Sequence, residues 1–394
     1  MEYIFSNKVS TLAPSVIREI LKFTSTPGMI SFAAGNPAPE AFPCKAVAKI
    51  IADIMQNDPI NALQYSVTEG YAPLRETMKK YMNTKYNVGR DFDDLIITAG
   101  AQQVMDLATK SLCNEGDVII CEAPTFIGSL NAFRSYGAKL VGVPMQPDGM
   151  DTEILEEILK SEKNVRFIYT IPNFQNPTGI TTSLKKRKEI YELAKKYNTL
   201  ILEDNPYGEI RFDGEAIPSI KSFDEEGVVI YAGSFSKVLS PGLRVGYTVC
   251  PKTVLAKMIC CKQTSDVHTS ILSQMIANEF VTKCDFDAHL EKIRGIYRRK
   301  YGIMSELMTE HFDGKITFQQ VEGGLFLWCR LPDTVDMMDF CTTAVKNNVA
   351  LVPGNAFLIN EKDECHYFRA NYSTPTDEQL KKGVEILGEL CKKL

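Results

Sequence analysis

Four histidines, one tryptophan and no Cys-x-x-Cys pair leave this 394-residue chain without the usual donor set of a structural zinc site. None of the histidines is paired at a metal-ligand spacing, so no metal centre is expected. Positive charge is in short supply. Lys and Arg number 44 against 49 Asp and Glu, a net charge of −5, which excludes an overall basic field for nucleic acid or an anionic membrane. No apolar run approaches the roughly 20 residues that a membrane span needs. The first residues, MEYIFSNKVS, lack the charged-then-apolar order of a signal peptide. No internal repeat or low-complexity tract interrupts the chain.

Cysteine, by contrast, is plentiful. The 11 cysteines are odd in number, and Cys121 and Cys250 sit inside apolar runs, so they read as reduced core thiols of a cytoplasmic protein. Apolar residues make up 44% and charged residues 24%, enough to bury a large core. The length suggests two or three structural units. The basic clusters Lys185 to Lys188 and Arg298 to Lys300 lie in helical contexts and read as solvated helix faces.

The sequence order predicts an α/β fold. An N-terminal segment, residues 1–45, holds a helix over Pro14 to Phe23 and an extended Gly/Ala/Pro-rich loop. Residues 46–285 alternate apolar strands with helices. The strands are Leu95 to Thr98, Val118 to Cys121, Lys139 to Val143, Phe167 to Ile171, Leu200 to Glu203, Val228 to Ala232 and Val245 to Cys250. Strands this apolar, separated by helices, predict a mostly parallel sheet covered on both faces. Ligands of such sheets collect beyond the carboxyl ends of the strands. Residues 286–394 read as a smaller α/β unit that opens on a long charged helix.

The polar motifs follow those strands. In SFSKVLSPGLRVGY, Lys237 stands beside Ser234 and Ser236, with Arg244 seven residues on. Two hydroxyls and a guanidinium suit a phosphate, and an amine kept neutral suits a covalent bond to an aldehyde. A surface lysine in a turn is the plainer reading. Gly100, Ala101 and Gln102 open a helix straight after a strand, a geometry that offers free N–H groups to an anion. Phe126 in EAPTF can stack on a flat ring or simply fill core. Asn176 sits in the rigid IPNFQNPTG loop, where an amide can hold one direction. Asp204 in EDNPY ends a very apolar strand. A buried carboxylate needs a partner, which a protonated pyridine nitrogen would supply; a surface acid is the alternative. Tyr207 follows it and can donate to a ring hydroxyl. Arg369 interrupts the apolar strand YFRANY, where it grips a planar anion or forms a structural ion pair.

Taken in order, these stretches closely resemble the class I aminotransferases, fold type I enzymes that use pyridoxal 5′-phosphate. The likeness is nearest to the branch of 2-aminoadipate and kynurenine aminotransferases. It runs from ISFAAGNPAPEAFP through LQYSVTEGYAPLRE, TAGAQQ, EAPTF, IPNFQNPTG and EDNPYGE to GSFSKVLSPGLRVGY, GGLFLW and FRANYS. The resemblance implies a large domain with a mixed, mostly parallel seven-stranded sheet and a smaller α/β domain. It implies that Lys237 holds the cofactor aldehyde as an imine and later moves the proton at Cα. Asp204 then pairs the pyridine nitrogen, Tyr207 and Asn176 contact the ring oxygen, and Phe126 stacks on the ring. Gly100, Ala101, Gln102, Ser234, Ser236 and Arg244 hold the phosphate. Arg369 binds the substrate α-carboxylate. Tyr65 reaches the phosphate of a neighbouring subunit, which implies a homodimer with shared sites. Gly35 belongs to a loop over the substrate, although this chain reads Ala34-Gly35-Asn36 where relatives often read Gly-Gly-Leu. Arg18 matches an arginine that meets a distal carboxylate, pointing to 2-aminoadipate or glutamate as donor and 2-oxoglutarate as acceptor, with aromatic and leucine-like donors also accepted. The bonds Ala123–Pro124 and Asn176–Pro177 are expected to be cis.

Two rivals share these motifs. One is a β-lyase or decarboxylating enzyme on the same fold. The other is the ligand-sensing domain of a MocR-type regulator, whose DNA-binding region has no room ahead of Pro14.

Overall fold

The computed structural model describes residues 3–6, 8 and 28–394. The helix expected over Pro14 to Phe23, and Arg18 with it, lies outside the described residues.

One large sheet carries most of the predicted strands. These are β2 (Asp93–Thr98), β3 (Val118–Ala123), β4 (Lys139–Gln146), β6 (Val165–Thr170), β7 (Leu200–Asn205), β8 (Val229–Ser234) and β9 (Gly246–Pro251), after a short N-terminal β1 (Ile30–Ser31) that lies elsewhere. An eighth member, the two-residue β5 (Gly149–Met150), adds an antiparallel edge to the seven expected strands. The strand order is β2-β9-β8-β7-β6-β3-β4-β5. From β8 to β4 the pairing is parallel, and β9 runs antiparallel to both β8 and β2. The carboxyl ends of β2, β3, β6, β7 and β8 therefore share one edge.

Period-two alternation sends neighbouring side chains to opposite faces. Val118, Ile120, Ile168, Ile201 and Val229 pack on one face with the helices Thr152–Ser161 and Leu184–Lys196. Ile119, Cys121, Phe167, Tyr169, Leu202 and Ile230 turn to the other face and join the main core with the helices Ala101–Leu112 and Ile127–Arg134. The same alternation puts Asp204, two residues past Leu202, on this second face.

A second sheet is antiparallel, in the order β10-β11-β14-β13, built from β10 (Thr317–Phe318), β11 (Phe326–Arg330), β13 (Val352–Pro353) and β14 (Tyr367–Asn371). The long helix Phe286–Phe312 and the terminal helix Asp377–Cys391 accompany it. Thr376 and Gln379 cap the terminal helix reciprocally, a standard helix start. The N-terminal segment joins this part of the molecule, because β1 pairs in parallel with β12 (Val349–Ala350). Phe32 extends the pairing, donating to Ala350 O at 2.9 Å and accepting from Asn371 N at 2.7 Å.

Candidate active site

A cavity of about 430 Å³ opens at the shared carboxyl edge of the large sheet. Its anion-binding end is set by strand register. Gly246 pairs with Thr98 on one side and Ser234 on the other, which brings the two strand exits together. Past Thr98, Gly100 turns at φ +79°, and a Cβ there would lie 2.5 Å from Arg244 Nη2. That backbone, φ +79° with ψ 169°, favours glycine, and any Cβ there would also push the guanidinium aside. Gly100 is also the N-cap of the helix Ala101–Leu112, and no side chain caps it, so the first N–H groups face the cavity end. Opposite stand the Ser234 and Ser236 hydroxyls, 2.9 Å apart. Arg244, itself at φ +53°, leans back on Ala99 O at 3.1 Å.

The cavity floor holds Asp204, 4% exposed. Its Oδ2 accepts the Tyr169 hydroxyl at 2.8 Å. Its Oδ1 is buried and has no hydrogen-bond partner among the described residues. Burial pushes this carboxyl up to about 7; the Tyr169 donor opposes the rise and the charge of Glu122 adds to it. An orphaned buried oxygen of this kind costs on the order of 1–3 kcal/mol unless a donor meets it. Phe126, at the start of the helix Ile127–Arg134, lines the same space, and Gly128 leaves room for its ring: a Cβ there would lie 2.6 Å from it.

At the reactive end, Lys237 Nζ donates to Gly35 O at 2.7 Å. Desolvation first, then the Arg369 and Arg244 charges, hold its amine down at about 8. Arg369 lies across from it, with its guanidinium carbon 4.1 Å from the Phe326 ring centroid and 5.0 Å from that of Phe357. Arg369 Nη1 donates to Asn176 Oδ1 and Nη2 to Ala33 O, each at 2.8 Å, while Nε is buried without a partner among the described residues. Burial lowers this guanidinium to about 10. Asn176 Nδ2 in turn lies 3.5 Å from the Tyr207 hydroxyl, whose titration burial drives upward.

The fold thus brings together Lys237, Asp204, Tyr207, Asn176, Arg369 and Gly35, and with them Phe126, Ala101, Gln102, Ser234, Ser236 and Arg244. Gly100 backs the rim behind Arg244. Tyr65 stands apart, 82% exposed, with the His268 ring edge-on at 5.9 Å. Both expected cis bonds, Ala123–Pro124 and Asn176–Pro177, are present.

Sequence reasoning passed over three buried residues. Glu122 accepts from Thr170 Oγ1 at 2.5 Å, Ile171 N at 3.1 Å and Gln175 Nε2 at 3.0 Å, and burial lifts it to about 7. It anchors the loop that carries Asn176. Tyr169 backs Asp204, and Ser129, on the cavity wall, donates to the Tyr169 hydroxyl. The alternation along β6 was the available signal, since Tyr169 lies opposite Leu202 and so beside Asp204. Among the described residues no group of His, Cys, Asp and Glu could hold a metal ion, and no helix is long and apolar enough to cross a membrane.

Comparison with known proteins bears on this arrangement. Residues 27–387 match the family model "Aminotransferase class I and II". Aromatic-amino-acid aminotransferase 1 of Thermococcus litoralis is 38% identical over 395 residues, covering 99% of this chain and 94% of its own. A Pyrococcus horikoshii kynurenine aminotransferase structure, in complex with PMP, is 37% identical with a TM-score of 0.95, covering 99% and 97% of the two chains. The alpha-aminoadipate aminotransferase LysN of Thermus thermophilus, complexed with N-(5′-phosphopyridoxyl)-L-leucine, is 37% identical with a TM-score of 0.91, again covering 99% and 97%. With nearly its whole length accounted for in this way, the chain belongs to the class I and II aminotransferases.

Proposed function

We propose that this aminotransferase uses pyridoxal 5′-phosphate to move the amino group of an acidic, aromatic or leucine-like L-amino acid to a 2-oxo acid such as 2-oxoglutarate. The observation that carries the reading is the orphaned Asp204 Oδ1, buried on the floor of a cavity whose far end offers a low-titrating lysine. A protonated pyridine nitrogen is the donor that oxygen lacks. When bound, the cofactor supplies an aldehyde for amines and a cationic ring that accepts the electron pair left at Cα.

The chain's own residues do the rest. The free N–H groups at Ala101 and Gln102, the hydroxyls of Ser234 and Ser236 and the Arg244 guanidinium hold the phosphate. Phe126 covers one ring face, and Tyr207 with Asn176 contacts the ring oxygen. Lys237, its amine held down at about 8, would take the proton from Cα of the donor and, in the second half of the exchange, deliver one to Cα of the acceptor. Arg369 binds the α-carboxylate, with its unpartnered Nε as a spare donor. That grip would hold the carboxylate away from Lys237 and present the C–H bond at Cα to the amine.

Donor breadth follows the relatives, whose names include aromatic amino acids, kynurenine and alpha-aminoadipate. Arg18 as the partner of a distal carboxylate rests on the sequence alone. We place the domain boundaries near residues 45 and 285, with the N-terminal segment joined to the C-terminal unit through β1. The active form is a homodimer in which Tyr65 enters the neighbour's phosphate site. Eleven cysteines without a disulfide fit a reducing cytoplasm. The test is a panel of acidic, aromatic and aliphatic donors against 2-oxoglutarate, combined with borohydride reduction and peptide mapping. Glutamate and an aromatic donor turn over and residue 237 carries the vitamer; a protein that stays colourless with the vitamer and unmodified at 237 refutes the proposal.

A further inference from the structure

The two oxygens of Asp204 have different surroundings. Oδ1 waits for a donor from the cavity, whereas Oδ2 already has one in the Tyr169 hydroxyl at 2.8 Å. That hydroxyl is itself pinned. Ser129 Oγ donates to it at 2.8 Å, which occupies its oxygen and leaves its proton aimed at Asp204. Both residues are fully buried, and Phe133 packs edge-on against the Tyr169 ring at 5.2 Å. Burial and the neighbouring carboxylate raise the Tyr169 phenol well above its ordinary range, so it stays a donor at any working pH.

Three titratable groups face Asp204: Tyr169 from β6, Glu122 from β3 and Tyr207 from the loop after β7. Glu122 and burial both make the carboxylate a stronger base. Tyr169 works against them. A stronger base at this position would draw the proton off the ring nitrogen and weaken the ring as an electron acceptor.

We propose that Tyr169, oriented by Ser129, is a positioning residue that keeps Asp204 a weak enough base for the cofactor nitrogen to stay protonated. This rests on the cofactor reading above. It assigns a role to Tyr169, which lies behind the site, and to Ser129 on its wall, neither of which that reading places against cofactor or substrate.

The test uses holoenzyme loaded with pyridoxal phosphate labelled with 15N at the ring nitrogen. The nitrogen resonance separates pyridinium from neutral pyridine and does not depend on turnover. In Tyr169→Phe the resonance moves towards neutral pyridine, and kcat falls at least about tenfold, while KM for the donor stays within about twofold. Ser129→Ala moves it the same way by less. Phe133→Leu, which loosens the same packing without touching a hydrogen bond, leaves it in place. A pyridinium resonance retained in Tyr169→Phe overturns the inference, as does an equal movement in Phe133→Leu. Should Tyr169→Phe not fold, Ser129→Ala decides, and no movement there overturns it. Wild-type protein that takes up no labelled vitamer refutes the functional reading beneath, and this inference with it.

Discussion

Arg369 and Asn176 lock each other: the arginine Nη1 donates to the amide Oδ1 at 2.8 Å, and that bond leaves the amide nitrogen turned towards Tyr207. One residue thus orients the group proposed for the substrate carboxylate and the group proposed for the ring oxygen.

Arg369→Lys tests this double duty. A lysine cannot hold Asn176, Ala33 and a carboxylate in one plane. kcat/KM falls roughly a hundredfold or more, by a similar factor for every donor, since all share the α-carboxylate. The cofactor spectrum persists. Steady-state kinetics on acidic and aromatic donors, with a visible spectrum of each variant, checks both parts.

Asp204→Asn separates stability from turnover. Burial pushes the native carboxyl up to about 7 from an ordinary 3.8. A raised carboxyl leaves stability intact below the ordinary value and removes it as pH rises through the folded value. Apoprotein denaturation curves for wild type and Asp204→Asn therefore coincide below about pH 4, and the Asn variant is the more stable at pH 7 and above. Turnover of the loaded variant drops by about 10²–10³-fold. Urea titrations at several pH values, beside activity assays, measure the two effects.

Gly100→Ala attacks the phosphate end. The new methyl would meet Arg244 at 2.5 Å on a backbone turned to φ +79°. Either the turn or the guanidinium must shift, at a cost on the order of 1–3 kcal/mol. The dissociation constant for pyridoxal phosphate rises at least about tenfold, and phosphate-free pyridoxal shows a much smaller change. Fluorescence titration of apoprotein with the two vitamers gives the comparison.

Leu63→Glu probes self-association. Ile60 at 72% exposure, Leu63 at 69% and Tyr65 at 82% cluster on one surface of this chain, around the short helix Pro59–Leu63. An apolar cluster that open marks a contact surface. The variant sediments as a monomer and loses most activity, although none of its catalytic groups has changed. Analytical ultracentrifugation of wild type and variant reads the outcome; wild type sedimenting as a monomer contradicts the shared-site dimer.

Much of the architecture was readable because buried parallel strands write long apolar runs. Each expected strand of the large sheet falls within about three residues of its observed bounds, and the helix expected to open at Gly100 to Gln102 is present as Ala101–Leu112. The two-residue strands β1, β5 and β10 escaped, since two residues carry no period. Lys237 and Asp204 announced themselves as polar groups at or just past apolar strand ends, and Arg369 as a cation inside an apolar strand. Glu122, Ser129 and Tyr169 did not, because their partners lie 35 to 53 residues away in sequence and meet them only through sheet register.

The bond from Lys237 to Gly35 O has a mechanical side. Gly35 hangs from β1, which is sewn to β12, and Arg369 holds the same strip at Ala33 O. The strip from Ala33 to Asn36 is therefore held from one side by Arg369 on β14 and by the Ser373 and Thr374 hydroxyls just past it, which donate to Asn36 O, and from the other by the Lys237 amine. Committing that amine elsewhere would remove only the bond to Gly35 O and leave the strip tied to the C-terminal unit.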